Sequence, residues 1–203
     1  MNDHPHHDAE IEADLKVYAG HQSRVEIIRD GGDWPDDMRA TEALIARAVD
    51  IAVALAKSAD LLAPDIALST PDPHINIVLS TDKAVRRLNR EFRGMDQPTN
   101  VLSFPIGDDS AFAPVTDSVI GDVIIAFETV AAEARARRMP VDHHLIHLAV
   151  HGALHLLGLD HQDETEARNM EELETKVLSG INISDPHQIS ARSNQSSRAS
   201  SGE

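Results

Sequence analysis

Residues 151–161 read HGALHLLGLDH and space three imidazoles as H-x3-H-x5-H. Residues four apart on a helix share one face, so His151 and His155 can direct their rings at one ion. A glycine just past a helix end readily takes a left-handed conformation, and Gly158 can therefore turn the chain so that His161 returns to the same point. Zinc binds neutral imidazole, and three protein ligands leave a fourth position for water, as in catalytic sites. The spacing predicts one catalytic zinc ion held by these three histidines.

The residue after the first histidine limits which hydrolase this can be. Zinc peptidases with this histidine spacing carry a glutamate there as general base. This chain has Gly152, which cannot accept a proton. The ligand set is therefore present without the usual peptidase base, although a peptidase with a base elsewhere in the chain remains an alternative.

Two further histidines permit a simpler interpretation. His143 and His147 continue the same row at four-residue spacing, so all these residues could be ordinary histidines of an amphipathic helix. They could also be extra ligands, or groups that orient the ligands. We leave both out of the metal site, because only the pair flanking Gly152 is followed by a chain reversal and another histidine.

Three segments resemble the YbeY family of bacterial endoribonucleases and rRNA maturation factors. They are the histidine motif at 151–161, LNREFRGMDQPTNVLSFP at 88–105 and GDVIIA at 121–126. The resemblance spans roughly residues 25–180. It departs at Leu159, where the family has an aromatic residue, and at Asn100, where the family commonly has aspartate. The second change removes a charge and keeps a hydrogen-bonding side chain.

The resemblance implies a single-strand-specific, zinc-dependent endoribonuclease acting in 16S rRNA 3′-end maturation and ribosome quality control. The implied partners are single-stranded RNA or rRNA and the ribosome or its small-subunit proteins. Arg93 occupies the position of a family arginine linked to RNA cleavage, so the catalytic candidates are Arg93, His151 and His155. Alternatives are a metal-dependent hydrolase of another class and a non-catalytic ribosome-assembly factor whose zinc holds the fold together.

The residues near the motif allow more than one role. The guanidinium of Arg93 can clamp a phosphate and offset charge in a transition state. By spacing alone, Arg93 is a cation at a helix C-terminus, where it suits the helix dipole. Asp160 could hold a ligand histidine in the required tautomer, or it could serve as a turn residue. The sequence identifies no general base.

Composition bounds the class of protein. A chain of 203 residues with 41% hydrophobic residues can bury one sizeable core, so one domain is expected. There is no cysteine, which fits a reducing compartment and leaves histidine and carboxylates as metal ligands. The acidic, polar N-terminus has no apolar signal core, and no apolar run reaches the length of a membrane span. We therefore expect a cytoplasmic protein that does not enter the membrane.

Charge has to be reconciled with an RNA substrate. The formal net charge is −16, whereas phosphate binding depends on lysine and arginine. Seven of the 18 basic residues, however, fall into two short segments. These are Arg86, Arg87, Arg90 and Arg93 in the first, and Arg135, Arg137 and Arg138 in the second. The two segments could line a basic groove, or they could be solvated helix faces.

The order of elements predicts an α+β fold. Residues 1–24 are expected to form a mobile polar arm, 25–181 one metal-binding catalytic domain, and 182–203 a disordered Ser-rich tail. The predicted strands are 25–30 (an edge strand), 75–79, 101–104 and 119–127, and the predicted helices are 36–62, 81–93, 128–139, one opened by Pro140, and 164–178. Few connections resemble regular crossovers. We expect a small, mostly four-stranded sheet packed with five to six helices, the histidine-bearing helix lying centrally.

Overall fold

The computed structural model describes residues 24–64, 66, 73–106, 118–161 and 163–184. Within these ranges the chain forms four strands and five helices of 11 residues or more. The strands are β1 (Val25–Arg29), β2 (His74–Ser80), β3 (Val101–Pro105) and β4 (Val119–Ala126), and the helices are α1 (Arg39–Ser58), α2 (Asp82–Arg93), α3 (Phe127–Arg137), α4 (Val141–Leu156) and α5 (Glu164–Gly180). The predicted α+β fold is confirmed. Of the predicted arm and tail, residues 1–23 and 185–203 lie outside the described residues.

The four strands form one mixed sheet in the order β1-β2-β4-β3. Strands β1, β2 and β4 run parallel, and β3 pairs antiparallel with β4. Strand β1 lies at an edge, as predicted. One parallel pair, β1 and β2, is joined by a regular crossover through α1, whereas the link from β2 to β4 runs through both α2 and β3. Strand β3 lies between α2 and β4 in the chain, so it hides the second crossover in the sequence order.

Helices cover both faces of the sheet, which parallel strands require because they are buried on both sides. Helix α2 covers one face through a small cluster that includes Val85 and Leu88. Helix α4 lies on the other face and also contacts α1, α3 and α5, so the predicted central position of the histidine-bearing helix is confirmed. The approach of α4 to the sheet is close, because a Cβ added at Gly121 of β4 would lie 2.6 Å from Leu156.

Local signals account for both ends of α2. The Thr81 hydroxyl accepts a hydrogen bond from the Ala84 backbone N–H at 3.2 Å, and Gly94 follows α2 with φ of +70°. Helix α1 is shorter than predicted, because Leu61 and Leu62 pack against the core after the helix has ended and so extend the apolar pattern beyond it. No helix in the described ranges is both long enough and apolar enough to cross a membrane.

Candidate metal centre

The turn after α4 determines where the third histidine lies. The Gly158 backbone N–H donates to the His155 carbonyl at 3.0 Å, and the Leu159 N–H donates to the Leu154 carbonyl at 3.1 Å. This pair of bonds is a Schellman motif, in which the residue after the helix cap takes a left-handed conformation. Gly158 does so with φ of +93°, as predicted. The chain therefore reverses and returns His161 to the histidine face of α4.

The structure brings together the three histidines that the sequence singled out. One ligand atom from each of His151, His155 and His161 lies within 4.8 Å of the other two. The ring of His155 is 4.7 Å from that of His151 and 5.1 Å from that of His161, measured between centroids. Zinc–nitrogen bonds are about 2.0–2.1 Å long, so a small inward shift of the rings would let all three nitrogens bind one ion. The first two histidines are partly buried and the third is exposed, so the centre opens to solvent.

Hydrogen bonds present the same nitrogen of both helical histidines to this centre. The Nδ1 of His155 lies 3.0 Å from the Leu159 carbonyl, which can only accept, so Nδ1 carries the proton. The Nδ1 of His151 lies 2.7 Å from Oε1 of Glu174 and is assigned in the same way. Each Nε2 therefore keeps its lone pair for a metal. Burial, helped by the nearby His151, lowers the pKa of His155 and favours the neutral ring that metals bind. The donor set fits zinc.

Glu174 is one residue that the sequence reasoning missed. It lies on α5, it is only 2% exposed, and its other carboxylate oxygen is 3.1 Å from Nε2 of His147. One carboxylate thus fixes two rings of α4, and His147 is directed toward Glu174 rather than into the group of three. A signal existed in the sequence, because Glu174 falls at helical spacing among Met170, Leu173 and Val177, all of which are buried.

Gly152 has a structural reason of its own. A Cβ at this position would lie 2.4 Å from Cγ1 of Val123 and 3.0 Å from the Ser103 hydroxyl oxygen. That hydroxyl also donates to the Gly152 carbonyl at 3.1 Å. The residue thus faces the sheet and not the cleft. A glutamate at 152 would collide with β4, so the position occupied by the peptidase base is unusable here.

Two cavities flank the histidines. The Arg93 cavity, of about 430 Å³, is lined by Arg93, Asp160 and all three histidines, among others. The Met170 cavity, of about 340 Å³, lies on the α5 side and is lined by Met170, Arg137, Glu174 and neighbouring residues. The two cavities share Asn100, Val101, His151 and His161, so they meet at the candidate metal centre.

The predicted basic segments divide in the structure. Arg93 lines one cavity and Arg137 the other. Arg86 instead pairs with Asp96 at 2.9 Å, which raises the pKa of the guanidinium, and Arg90 lies 3.8 Å from the same carboxylate. Each flank of the centre therefore has one arginine, whereas part of the first segment is occupied by an acidic neighbour.

The Oδ1 of Asp160 accepts the backbone N–H of His161 at 2.7 Å, which is the contact expected of a turn residue. The Nδ1 atoms of the two helical histidines bond to the Leu159 carbonyl and to Glu174. On α4, His143 lies away from both cavities, whereas its buried neighbour His144 lines the Met170 cavity. The sequence reasoning considered the first of these histidines and missed the second.

Asn100 belongs to a polar chain beside the centre. Its amide donates to the Glu133 carboxylate at 3.0 Å, and the same carboxylate lies 2.7 Å from Nε2 of His144. An aspartate at position 100 would set two carboxylates against each other. The Asn100 amide therefore supplies a donor that an ionised aspartate would lack.

Comparison with known proteins shows the family of this chain. The sequence profile of the family described as Endoribonuclease YbeY matches residues 37–182. The chain belongs to the YbeY family. An Endoribonuclease YbeY of Rhodopseudomonas palustris (strain BisA53) is 42% identical over 80% of this chain and 88% of the relative. One of Paramagnetospirillum magneticum is 44% identical over 76% and 89%. A solution structure of TM1509 from Thermotoga maritima aligns over 88% of this chain and 99% of that one, with a TM-score of 0.45 and 20% identity. The YbeY relatives support nuclease activity, and the candidate metal centre lies within the matched range.

Proposed function

We propose that this YbeY-family protein is a single-strand-specific endoribonuclease that depends on one zinc ion held by His151, His155 and His161. The observation that carries the proposal is the meeting of three convergent imidazoles and Arg93 in one open cleft. An open cleft with three protein ligands suits catalysis better than a purely structural zinc, which is usually closed by four protein ligands.

In the proposed reaction, different residues would hold the metal ion, orient its ligands and bind the phosphate. A bound zinc ion would supply Lewis acidity, polarising a phosphoryl oxygen and lowering the pKa of a coordinated water. The Leu159 carbonyl and Glu174 hold the two helical imidazoles in the tautomer that a metal needs. The fork of Arg93 can bind two oxygens of one phosphate and stabilise the charge that develops there.

The shape of the cleft also favours a single-stranded substrate over a duplex. The cavities of about 340 and 430 Å³ on either side of the centre are each of the size that holds a small ligand. A strand bound with a phosphate at the histidines would enter both of them. A base-paired helix keeps its bases stacked and paired inside, where such cavities cannot reach them.

The biological setting is proposed from the family. We infer that the substrate is rRNA, that the protein acts in 16S rRNA 3′-end maturation and ribosome quality control, and that it meets the ribosome or small-subunit proteins in the cytoplasm. The relatives' names support the ribonuclease activity on which this setting depends.

Metal analysis combined with an RNA cleavage assay tests the proposal. Wild-type protein should bind one zinc per chain and cut a single-stranded RNA, but neither an RNA duplex nor a peptide. His155→Ala should lose both zinc and cleavage. The matched control is His143→Ala, which removes a histidine of the same helix outside both cavities and should retain both properties.

The alternatives give different results in the same assay. Zinc binding with peptide cleavage would indicate a hydrolase of another class. Zinc binding without any hydrolysis, together with loss of the fold in His155→Ala, would indicate an assembly factor with a structural metal. Either result would overturn the proposed ribonuclease function.

A further inference from the structure

The Met170 cavity extends from the candidate metal centre toward α5, beyond the three histidines. It lies between α4, α5 and the start of β3, and it shares His151 and His161 with the Arg93 cavity. A strand with its phosphate at the histidines would therefore place one neighbouring nucleotide on each side. Each cavity is lined by one arginine, Arg93 or Arg137, but only the Met170 cavity is also lined by two glutamates. The α5 side therefore suits a different occupant.

The walls of the Met170 cavity are unsuited to a phosphate. Its apolar wall consists of Val101, Leu148, Ala167 and Met170. The carboxylates of Glu171 and Glu174 also line it, and they would repel a phosphate oxygen. An apolar wall with a few polar groups is typical of sites for planar ring compounds. Bases of single-stranded RNA are recognised in this way once they leave their stack.

The polar groups of the cavity are partly occupied already. Glu174 is held by two histidines and the Asn100 amide by Glu133, so these groups keep the cavity in shape. Within the described ranges, Arg137 makes no ion pair. An arginine plane can stack on a base, and a guanidinium at the edge of the cavity is available for this contact.

The size of the cavity narrows the choice of occupant. A volume of about 340 Å³ is near the lower end of small-ligand sites. A helix of a protein partner, about 10–12 Å across with its side chains, needs a longer groove. One nucleobase together with a few water molecules suits a cavity of this size.

We propose that the Met170 cavity binds one unstacked nucleobase of the substrate strand, that of a nucleotide adjacent to the phosphate held at the histidines. The inference rests on the proposed ribonuclease function and extends it to substrate recognition. It gives a physical reason for single-strand specificity, because a paired base would first have to leave its stack.

A scan of the substrate with the wild-type, zinc-loaded protein tests the inference. Oligoribonucleotides carry a single abasic nucleotide at each position around the cut. Matched controls carry a 2′-deoxynucleotide at the same position and keep the base. At one position next to the cut, loss of the base should lower kcat/KM about five- to hundredfold, the range expected for one lost base contact. The matched control should stay close to the unmodified strand.

A substitution that fills the cavity gives an independent test. Ala167→Phe should lower cleavage of the intact strand to the level of the abasic one and remove the difference between them, with zinc content unchanged. Asn169→Phe places the same ring on the exposed side of α5 and should keep the difference. If Ala167→Phe does not fold, the scan with the wild type still decides.

The outcomes separate this inference from the function on which it rests. Cleavage that is equally fast with an abasic nucleotide at every position would overturn the nucleobase site and leave the ribonuclease intact. An Ala167→Phe protein that still discriminates against the abasic strand would do the same. No cleavage of any RNA by the zinc-loaded protein would overturn the proposed function, and the nucleobase site with it.

Discussion

Replacing Glu174 with glutamine should weaken zinc binding without unfolding the protein. The wild-type carboxylate receives the Nδ1–H of His151 at 2.7 Å and lies 3.1 Å from Nε2 of His147. A glutamine of the same shape can still accept one hydrogen bond through its oxygen. It loses the negative charge that makes the imidazole a stronger metal ligand, and its amide must face the second ring.

The expected size of the effect follows from the burial and the contacts. Loss of a group that orients a metal ligand usually costs about 10- to 100-fold in metal affinity, equal to about 1.4–2.7 kcal/mol. The buried position of Glu174, at 2% exposure, favours the upper part of that range, because solvent cannot replace the lost partner. Glu174→Ala should also destabilise the metal-free protein, since it leaves a buried ring N–H unsatisfied at about 1–3 kcal/mol.

Competition with a chromophoric chelator at neutral pH measures the zinc affinity, and thermal unfolding of the metal-free proteins measures the fold. Glu172→Gln is the matched control, because it makes the same chemical change on an exposed face of α5. Equal zinc affinity in Glu174→Gln, Glu172→Gln and wild type would show that the carboxylate does not orient the metal ligand.

Three further predictions concern separate parts of the molecule. In chemical unfolding, Gly158→Ala should destabilise the protein by about 1–3 kcal/mol more than Gly94→Ala, and of the two variants only Gly158→Ala should weaken zinc binding. Both glycines have positive φ, but only at Gly158 would the new Cβ clash with another atom, at 2.4 Å. Arg93→Ala should keep its zinc and cut RNA about 10²–10³-fold more slowly than the wild type, and Arg93→Lys should restore little of the rate. The control Arg87→Ala should cut at the wild-type rate. Equal rates in Arg93→Ala and Arg87→Ala would show that Arg93 is only a cation at a helix end. Burial raises the pKa of Asp122 above its ordinary 3.8, so the native state loses stability as the pH rises from 3.8 through the raised pKa. The melting temperature of metal-free Asp122→Asn minus that of the metal-free wild type should therefore be larger at pH 7 than at pH 4. The same difference at both pH values would contradict this prediction.

Local patterns in the sequence predicted most of the fold. The ends of α2 were predicted because a capping hydroxyl and a following glycine act over a few residues. The position of His161 followed from Gly158 for the same reason. The end of α1 was not predicted correctly. Leu61 and Leu62 continue the apolar pattern, but they do so because they pack against the core after the helix has ended.

The parts that were missed depend on pairs far apart in the chain. Glu174 meets its two histidines across separations of 23 and 27 residues, and Glu133 meets Asn100 across 33. A sequence shows that a residue is polar and at an inward-facing position, but it does not show which partner satisfies it. The parallel pairing of β2 with β4 was hidden similarly, because β3 lies between them in the chain.

The placement of Glu174 on α5 has a consequence for biosynthesis. All three candidate ligands leave the ribosome before α5, because they lie at 151–161 and that helix spans Glu164–Gly180. A nascent chain ending before α5 would already expose the complete histidine set, yet neither His151 nor His147 would have its carboxylate. The proposed zinc binding would then strengthen only as the last helix docks, and tight binding would report completion of the domain during synthesis.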